Sequence, residues 1–492
     1  MPAGSRSRPR FLTRTQLSLR LFGSRNRGET QPHDRIERSR DSSIFNAGED
    51  SNSCRFFPTR YVRHSIDIYG ETGRLQQAFG DNVELTVPVN IQWADQTSGS
   101  NGDGTPDPQF QFDFTESLRQ ASVEARLSDR SGAKVDRVVG LFHIDDKIAF
   151  ASLWTSFAVR PISIFPYRQT RRSSAAFGQL DAEVASWLRL MGGLRDTRDH
   201  ASFDGANIDL NPWGISTFTG RFGTTSPFAW SGRFADDDVS GRVSSQLKPT
   251  ETLRLFASAG TGYRGRGFDG TSMFTIEETL PFTSGHVRAL EAGVRDTNSW
   301  LRLTRDAFDD RFRDLKATTR LSNDTNGRAN VGRALSRGVE GSVAARLFRG
   351  ETESLDVNVG ATFPDTEILS FIFNHVADVT STVGDRLPGA PRWTLNAAVD
   401  ATMDHGRGWR GRTRFTLAYR GEESKRRNAQ PNTISPGQTL LNLRHDLTTP
   451  AGFDVDAHGR NLTNGISFPE RNGAVRLVGA PRTSGVGAVV SF

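Results

Sequence analysis

Arg414-Phe415-Thr416-Leu417-Ala418-Tyr419-Arg420 decides the fold class, because its apolar and polar residues alternate with a period of two. Phe415, Leu417 and Tyr419 share one face of an extended chain, and Arg414, Thr416 and Arg420 share the other. The pattern recurs on both sides of this stretch. Leu355, Val357 and Val359 oppose Asp356 and Asn358; Phe453, Val455 and Ala457 oppose Asp454, Asp456 and His458; Val339, Gly341 and Val343 oppose Glu340 and Ser342. A soluble sandwich produces the same alternation, so number and length must separate the cases. Roughly 16 to 18 such segments occur, many near the ~9–11 residues that a tilted membrane strand requires. Charges gathered on one face also demand a wide wet lumen. The expected fold is therefore all-β, an antiparallel transmembrane β-barrel of the outer-membrane type.

Composition agrees. The chain has 492 residues, 48 of them Gly, 33 Phe and 8 Trp, which suits tight turns and interfacial aromatic girdles. No run approaches the ~18 apolar residues of a membrane helix. Cys54 stands alone, so no internal disulfide staples the fold. The net charge of +6 comes from Arg spread along the chain, which argues against nucleic acid as a partner. Residues 1–55 are rich in Arg and Ser and read as a disordered tail. Their best apolar stretch, Phe11 through Phe22, is broken by Arg14 and Arg20, so it offers no signal-peptide core. An amphipathic Arg-rich targeting helix is the alternative. Residues 56–492 read as the barrel. Residues 247–252 and 404–408 are tight turns, and the aperiodic stretches 197–236, 264–286 and 364–390 are expected outside the cell, as candidates for ligand contact.

The last residues, Ser484 to Phe492, put Val486, Ala488, Val490 and Phe492 on one face. A closing strand that ends on Phe resembles the assembly signal of bacterial outer-membrane barrels. Gly459-Arg460-Asn461-Leu462-Thr463-Asn464 followed by Gly479-Ala480-Pro481-Arg482-Thr483 resembles the C-terminal signature of TonB-dependent outer-membrane receptors. Upstream, Gly384-Asp385-Arg386-Leu387-Pro388-Gly389-Ala390-Pro391-Arg392-Trp393, Ser336-Arg337-Gly338-Val339-Glu340-Gly341 and the strand ending Gly262-Tyr263-Arg264 resemble the same family in the same order, and Glu124 to Phe142 does so more weakly. The resemblance covers residues 115–492. It implies a siderophore-receptor-like protein of the bacterial outer membrane that takes up a scarce ligand such as an iron chelate, with energy delivered through TonB. It implies outer-membrane lipid and the barrel-assembly machinery as partners. The family's signal peptide, TonB-engaging box and plug domain are not visible in the sequence. The expectation is an N-terminally incomplete barrel that engages TonB only if a plug and box are supplied, and that does not perform energy-coupled uptake alone. A passive porin-like channel is the alternative.

Catalysis has no support, since His143, His200, His286 and His375 fall in unrelated segments. Asn101 to Asp107 has alternating oxygen ligands but lacks the closing Glu of a calcium loop, and Gly260 to Gly265 is followed by no helix that would make it a phosphate loop. Glu422-Glu423 and Asp236-Asp237-Asp238 read as solvated loop ends. No cofactor, metal ligand or catalytic residue is expected, and the ligand-contacting residues stay unassigned.

Overall fold

The computed structural model describes every residue except 1–9, 13–14, 30–32, 36–62, 102–109, 133, 157–159, 211–226, 272, 321–325, 372–382, 426–432, 473–474 and 491–492. Phe492, Cys54, His375 and most of the Asn101–Asp107 loop lie outside the described residues. One antiparallel sheet of 19 strands dominates the molecule. It consists of a short strand, Arg10–Leu12, and the longer strands β1 (Thr15–Glu29), β2 (Arg63–Phe79), β3 (Val83–Asn101), β4 (Phe110–Gly132), β5 (Val135–Ser156), β6 (Arg160–Ala185), β7 (Leu188–Asp209), β8 (Phe228–Leu247), β9 (Leu253–Arg264), β10 (Gly285–Thr297), β11 (Leu301–Arg320), β12 (Asn326–Arg349), β13 (Glu353–Phe371), β14 (Thr394–Gly406), β15 (Trp409–Arg420), β16 (Gln438–Thr448), β17 (Phe453–Arg460) and β18 (Thr483–Val490). Each pairs with the next in sequence, the up-and-down order of an outer-membrane barrel.

β1 corrects one expectation. Thr15–Glu29 is not disordered but lies in register along β2, with Leu17 opposite Leu75 and Leu19 opposite Gly73. Arg20 does not interrupt an apolar core there. Leu17, Leu19 and Leu21 are exposed on one face, and Arg20 belongs to the other.

The sheet curls back on itself. His33–Arg35, just beyond β1, pairs with Val475–Leu477, just before β18, and Val475–Leu477 also pairs with Glu470–Asn472. Laid flat, β1 and β18 would stand about 80 Å apart at the usual strand spacing. The ten or so residues connecting them through this small sheet span about 40 Å at most. The two ends of the wall are therefore drawn together at one rim.

Directly opposed residues share a face, which lets the two surfaces be followed across strands. Ala345, Val357, Val399, Phe415 and Leu443 stand in one row; Arg346, Asp356, Asp400, Arg414 and Arg444 stand in the adjacent row on the other surface. The charged row is cross-linked, Arg346 Nε to Asp356 at 3.1 Å and Arg412 Nη2 to Asp400 at 2.7 Å, and faces the lumen. The apolar row faces lipid. At the short-turn rim Phe79, Trp187, Trp300, Phe348, Trp409 and Phe453 are all exposed, a girdle for the inner interface. Tyr69, Trp93, Trp393 and Tyr419 are exposed toward the other rim. Trp409 and Tyr419 lie ten positions apart on β15, which at a tilt near 40° spans about 25 Å along the membrane normal, the height of an apolar band.

The strands β4 to β7 run well past that height, with 22 to 26 residues each. Above the band their polarity inverts. On the outer face of β5 the exposed Val139 and Leu141 give way to His143, Asp145 and Lys147, and Arg172 of β6 donates to Asp145 at 2.9 Å. On the inner face the same strands become aromatic.

Candidate functional site: an aromatic vestibule above the membrane band

Phe150, Tyr167 and Phe203 lie side by side on the inner face of β5, β6 and β7, their ring centroids 5.0 and 5.1 Å apart. Trp154, Phe165, Phe228, Trp230 and Phe234 extend the cluster. Residues 265–284, between β9 and β10, fold inward onto it rather than projecting outward as an open loop. Phe268 lies tilted against Phe203 at 5.2 Å, and Phe274 meets Phe165 and Trp154 edge to face at 4.9 and 5.0 Å. Gly270 permits this approach, because a Cβ there would stand 2.5 Å from the Tyr167 ring. Inside the segment, Ile276–Thr279 forms a single helical turn, and Glu278 accepts from the Thr275 backbone N–H at 3.0 Å.

A band of ionic contacts holds the base of this segment. The Asp199 carboxylate, nearly inaccessible, accepts from Arg171 Nη2 at 2.6 Å and from the Tyr263 hydroxyl at 2.7 Å. Asp236, directly opposite Asp199, accepts from the Arg266 backbone N–H at 3.2 Å and from the Ser284 hydroxyl. His286 Nε2 is 3.5 Å from Asp238. Lys316 Nζ donates to the Arg264 carbonyl at 2.8 Å and sits 4.6 Å from the centre of the Phe282 ring; Arg266 lies over Phe234 at 5.5 Å. The vestibule thus combines aromatic faces with guanidinium and ammonium groups, a surface suited to flat or anionic small molecules.

Three expectations need correction. Asp236 and Asp238 are not a solvated loop end but inner-face residues of β8. Glu423 is likewise buried, held by Arg420 and Lys425, in a short pairing of Glu423–Ser424 with Ile434–Ser435. Residues 197–209, 228–236 and 364–371 also prove to be strand rather than loop, since β7, β8 and β13 extend beyond the band.

The family-like motifs fall into two groups. Tyr263, with Gly262 and Arg264, borders the vestibule through its bond to Asp199. The others stand in the wall and at its corners. Arg337 and Arg386 converge on Asp365, each at 3.2 Å, so two motifs distant in sequence meet on one carboxylate. Burial, with Arg392 nearby, lowers the pKa of the Arg386 guanidinium in this loop. Gly338 packs so tightly that a Cβ would stand 2.4 Å from the Phe363 carbonyl, and Glu340 lies on the lumen side of β12. Gly384 adopts φ 100° and donates to the Ile368 carbonyl at 2.9 Å, while Pro388 and the buried Pro391 shape the return into β14. Asn461, at φ 51°, donates to the Gly465 and Ala480 carbonyls at 2.9 and 3.1 Å, and Asn464 accepts from the Arg482 N–H at 3.0 Å. Leu462 donates to the Leu441 carbonyl, and Thr463 and Pro481 are exposed around the same turn. The sequence did not single out Tyr167, Phe203, Trp230 or Arg171; their alternate spacing was available, but not the knowledge of which face is inner.

The chain matches the family described as TonB dependent receptor-like, beta-barrel over residues 8–463. Among solved structures it is similar to the ferric yersiniabactin uptake receptor FyuA from Yersinia pestis, with 18% identity and a TM-score of 0.75 over 97% of this chain and 68% of that one. The siderophore receptor PiuA from Acinetobacter baumannii gives 14% and 0.74 over 97% and 72%, and the ferric-catecholate import receptor Fiu from E. coli K12 gives 12% and 0.70 over 97% and 72%. No curated protein matches the chain.

Proposed function

The chain belongs to the TonB-dependent receptor family of outer-membrane β-barrels, transporters rather than enzymes, and on that premise we propose that its vestibule receives a scarce small ligand of the iron-chelate class. The inner-face aromatic cluster over β5 to β8 carries this reading, with Arg171, Arg266 and Lys316 beside it. Flat chelate arms stack on Tyr167 and Trp230, and the cations attract the negative charge that iron chelates commonly carry. The family's TonB-driven import is the activity in which this capture takes part. Phe492 serves as the determinant by which the assembly machinery recognises the last strand, and its deletion lowers the heat-modifiable folded fraction.

The test is fluorescence titration of the refolded barrel with ferric catecholate, hydroxamate and citrate chelates, since Trp154 and Trp230 report on the cluster. Tyr167→Ala and Trp230→Ala each weaken the preferred chelate by about tenfold, the value of one stacking contact of roughly 1–2 kcal/mol. Unchanged affinity in both variants, with the barrel folded, overturns the assignment. Open conductance in liposomes without solute preference would instead favour a diffusion channel.

A further inference from the structure

The wall does not close evenly between β8 and β9. β8 pairs with β7 along all 20 of its residues, and β9 pairs with β10 along all 12 of its own. Between β8 and β9 the register runs only from Leu247 opposite Leu255 to Arg242 opposite Gly260. Arg242 stands five positions up from the short-turn rim, a rise of about 13 Å, so the ladder stops near the middle of the membrane. There Arg242 donates to Ser258 at 3.0 Å and lies 3.5 Å from Glu291, which rivets β8 to β9 and β10 on the lumen side. Above that level side chains bridge the two strands. The Gly241 N–H donates to the Thr261 hydroxyl at 3.1 Å, the Tyr263 hydroxyl reaches past β8 to Asp199 at 2.7 Å, and His286 Nε2 on β10 lies 3.5 Å from Asp238.

The last two contacts cross the wall. The exposed Val239 and Val243 put one parity of β8 on the lipid side, which leaves Asp236 and Asp238 inside. Tyr263 and His286 oppose each other and share the parity of Ala259 and the exposed Leu290, the lipid-side parity of β9 and β10. A side chain of that parity reaches an inner-face carboxylate only where its strand has slipped behind the neighbour. The wall is therefore a lap joint here, with the upper ends of β9 and β10 tucked behind β8. On the lipid side the step leaves a concavity of about 1740 Å³, lined among others by Gly241, Ala257, Ala259, Gly260 and Thr261. On the vestibule side Ile276 and Leu280, one helical turn apart in the inserted segment, are 49% and 45% exposed. Arg266 and Lys316 stand at the base of that segment.

We propose that the β8–β9 joint is a lateral portal through which a single-chain amphiphile with a carboxylate head passes between the outer leaflet and the vestibule. Val239, Ser240 and Gly241, between the last ladder pair and Asp238, leave about 10 Å of strand edge, which admits one acyl chain and not a multiply acylated lipid. Bare backbone groups are costly in lipid, so the overlap shuts the slot at rest, and it opens when the Tyr263–Asp199 and His286–Asp238 contacts part. The chain then lies over Ile276 and Leu280 with its carboxylate toward Arg266 and Lys316. The portal does not depend on the chelate assigned to the vestibule, because an acyl probe alone reads it.

The test is photolabelling of the refolded barrel in phosphatidylcholine vesicles, with palmitate bearing a terminal diazirine as the probe and adducts mapped by peptide mass spectrometry. Adducts should form on residues 265–284 as well as on the lipid-facing Leu194 and Leu290. In a Cys54→Ser background, Asp238→Cys/His286→Cys bridged by a short bis-methanethiosulfonate should show at least about tenfold fewer adducts on residues 265–284, because the open state is denied, with those on Leu194 and Leu290 unchanged. Reductant, which removes the bridge from the same folded protein, should restore them. Tyr263→Phe, which keeps the ring and loses the bond to Asp199, should raise them severalfold. Undiminished labelling of residues 265–284 in the bridged barrel, which would mean entry from the water above, no labelling there in the unbridged barrel, or no rise in Tyr263→Phe would each overturn the proposal.

Discussion

The wall is tall on one side and short on the other. From β4 to β7 the strands have 22 to 26 residues, whereas β15 to β18 have 8 to 12 and stop near the interfaces. Both sides keep the period of two over most of their length, with register shifts on the tall side near strand ends, as at Trp154/Thr155 and Glu183/Ala185. On the short side one parity is apolar because it meets lipid, as Phe415 and Leu443 do. Along β5 and β6 the apolar parity changes face on leaving the membrane, so that Leu141 points out and Phe150 and Tyr167 point in. Alternation therefore fixes which residues share a surface, and the surrounding medium decides which surface is apolar.

The comparison can be broken most directly at Phe203, fully buried in the inner aromatic cluster of the tall side. Phe203→Ala should cost about 3–5 kcal/mol of local stability and open residues 265–284 to protease, a loss read by limited proteolysis and urea unfolding in detergent. A protease-resistant variant would mean that the inserted segment does not depend on the cluster. On the short side Phe415 lies near the middle of the span between Trp409 and Tyr419. Phe415→Arg should destabilise the barrel in phospholipid vesicles by about 2–4 kcal/mol, with Leu417→Arg milder because it is closer to the girdle. Equal tolerance of Arg at Phe415 and at its lumen-side neighbour Thr416 would reverse the assigned faces. Asp199→Asn removes the charge that Arg171 pairs with and should cost roughly 1–3 kcal/mol, loosening the base of residues 265–284 without altering the membrane span. Hydrogen exchange confined to that segment is the expected signature. Arg172→Gln, on the outer face of the extension, should leave the unfolding midpoint in place, because its pair with Asp145 is well hydrated. A large shift there would place that face against something other than water.

Strand periodicity, the turns at residues 247–252 and 404–408 and the family-like corners were legible because each is written in neighbouring residues. β1 was missed for a physical reason: Leu17, Leu19 and Leu21 separated by Ser18 and Arg20 look like a failed apolar run when an uninterrupted one is sought, and like a membrane strand when every second residue is read. The inward fold of residues 265–284 has no local signature, since Phe268, Met273 and Phe274 become a core only against Tyr167 and Phe203, about 70 to 100 positions earlier in the chain. The ionic base was hidden in the same way. Nothing near Asp236 in sequence announces that Asp199 stands beside it and that Ser284 and Arg266 will reach it. The motif residues Asn461, Asn464, Gly338 and Arg337 were visible by resemblance, but only the geometry shows that the two asparagines set a backbone corner and that Arg337 and Gly338 sit within β12, instead of lining the vestibule.

The small sheet joining His33–Arg35 to Val475–Leu477 bears on timing. Arg35 and Val475 are 440 positions apart in the chain, 475 minus 35, while every neighbouring pair of long strands is linked by a single connection. Hairpins can form one after another at small entropic cost, whereas this stitch cannot be made until the far end of the chain has arrived. Assembly is therefore sequential along the wall and all-or-none at its seam, and a chain stalled before its last hairpin would present an open ribbon with two bare edges to lipid and to proteases.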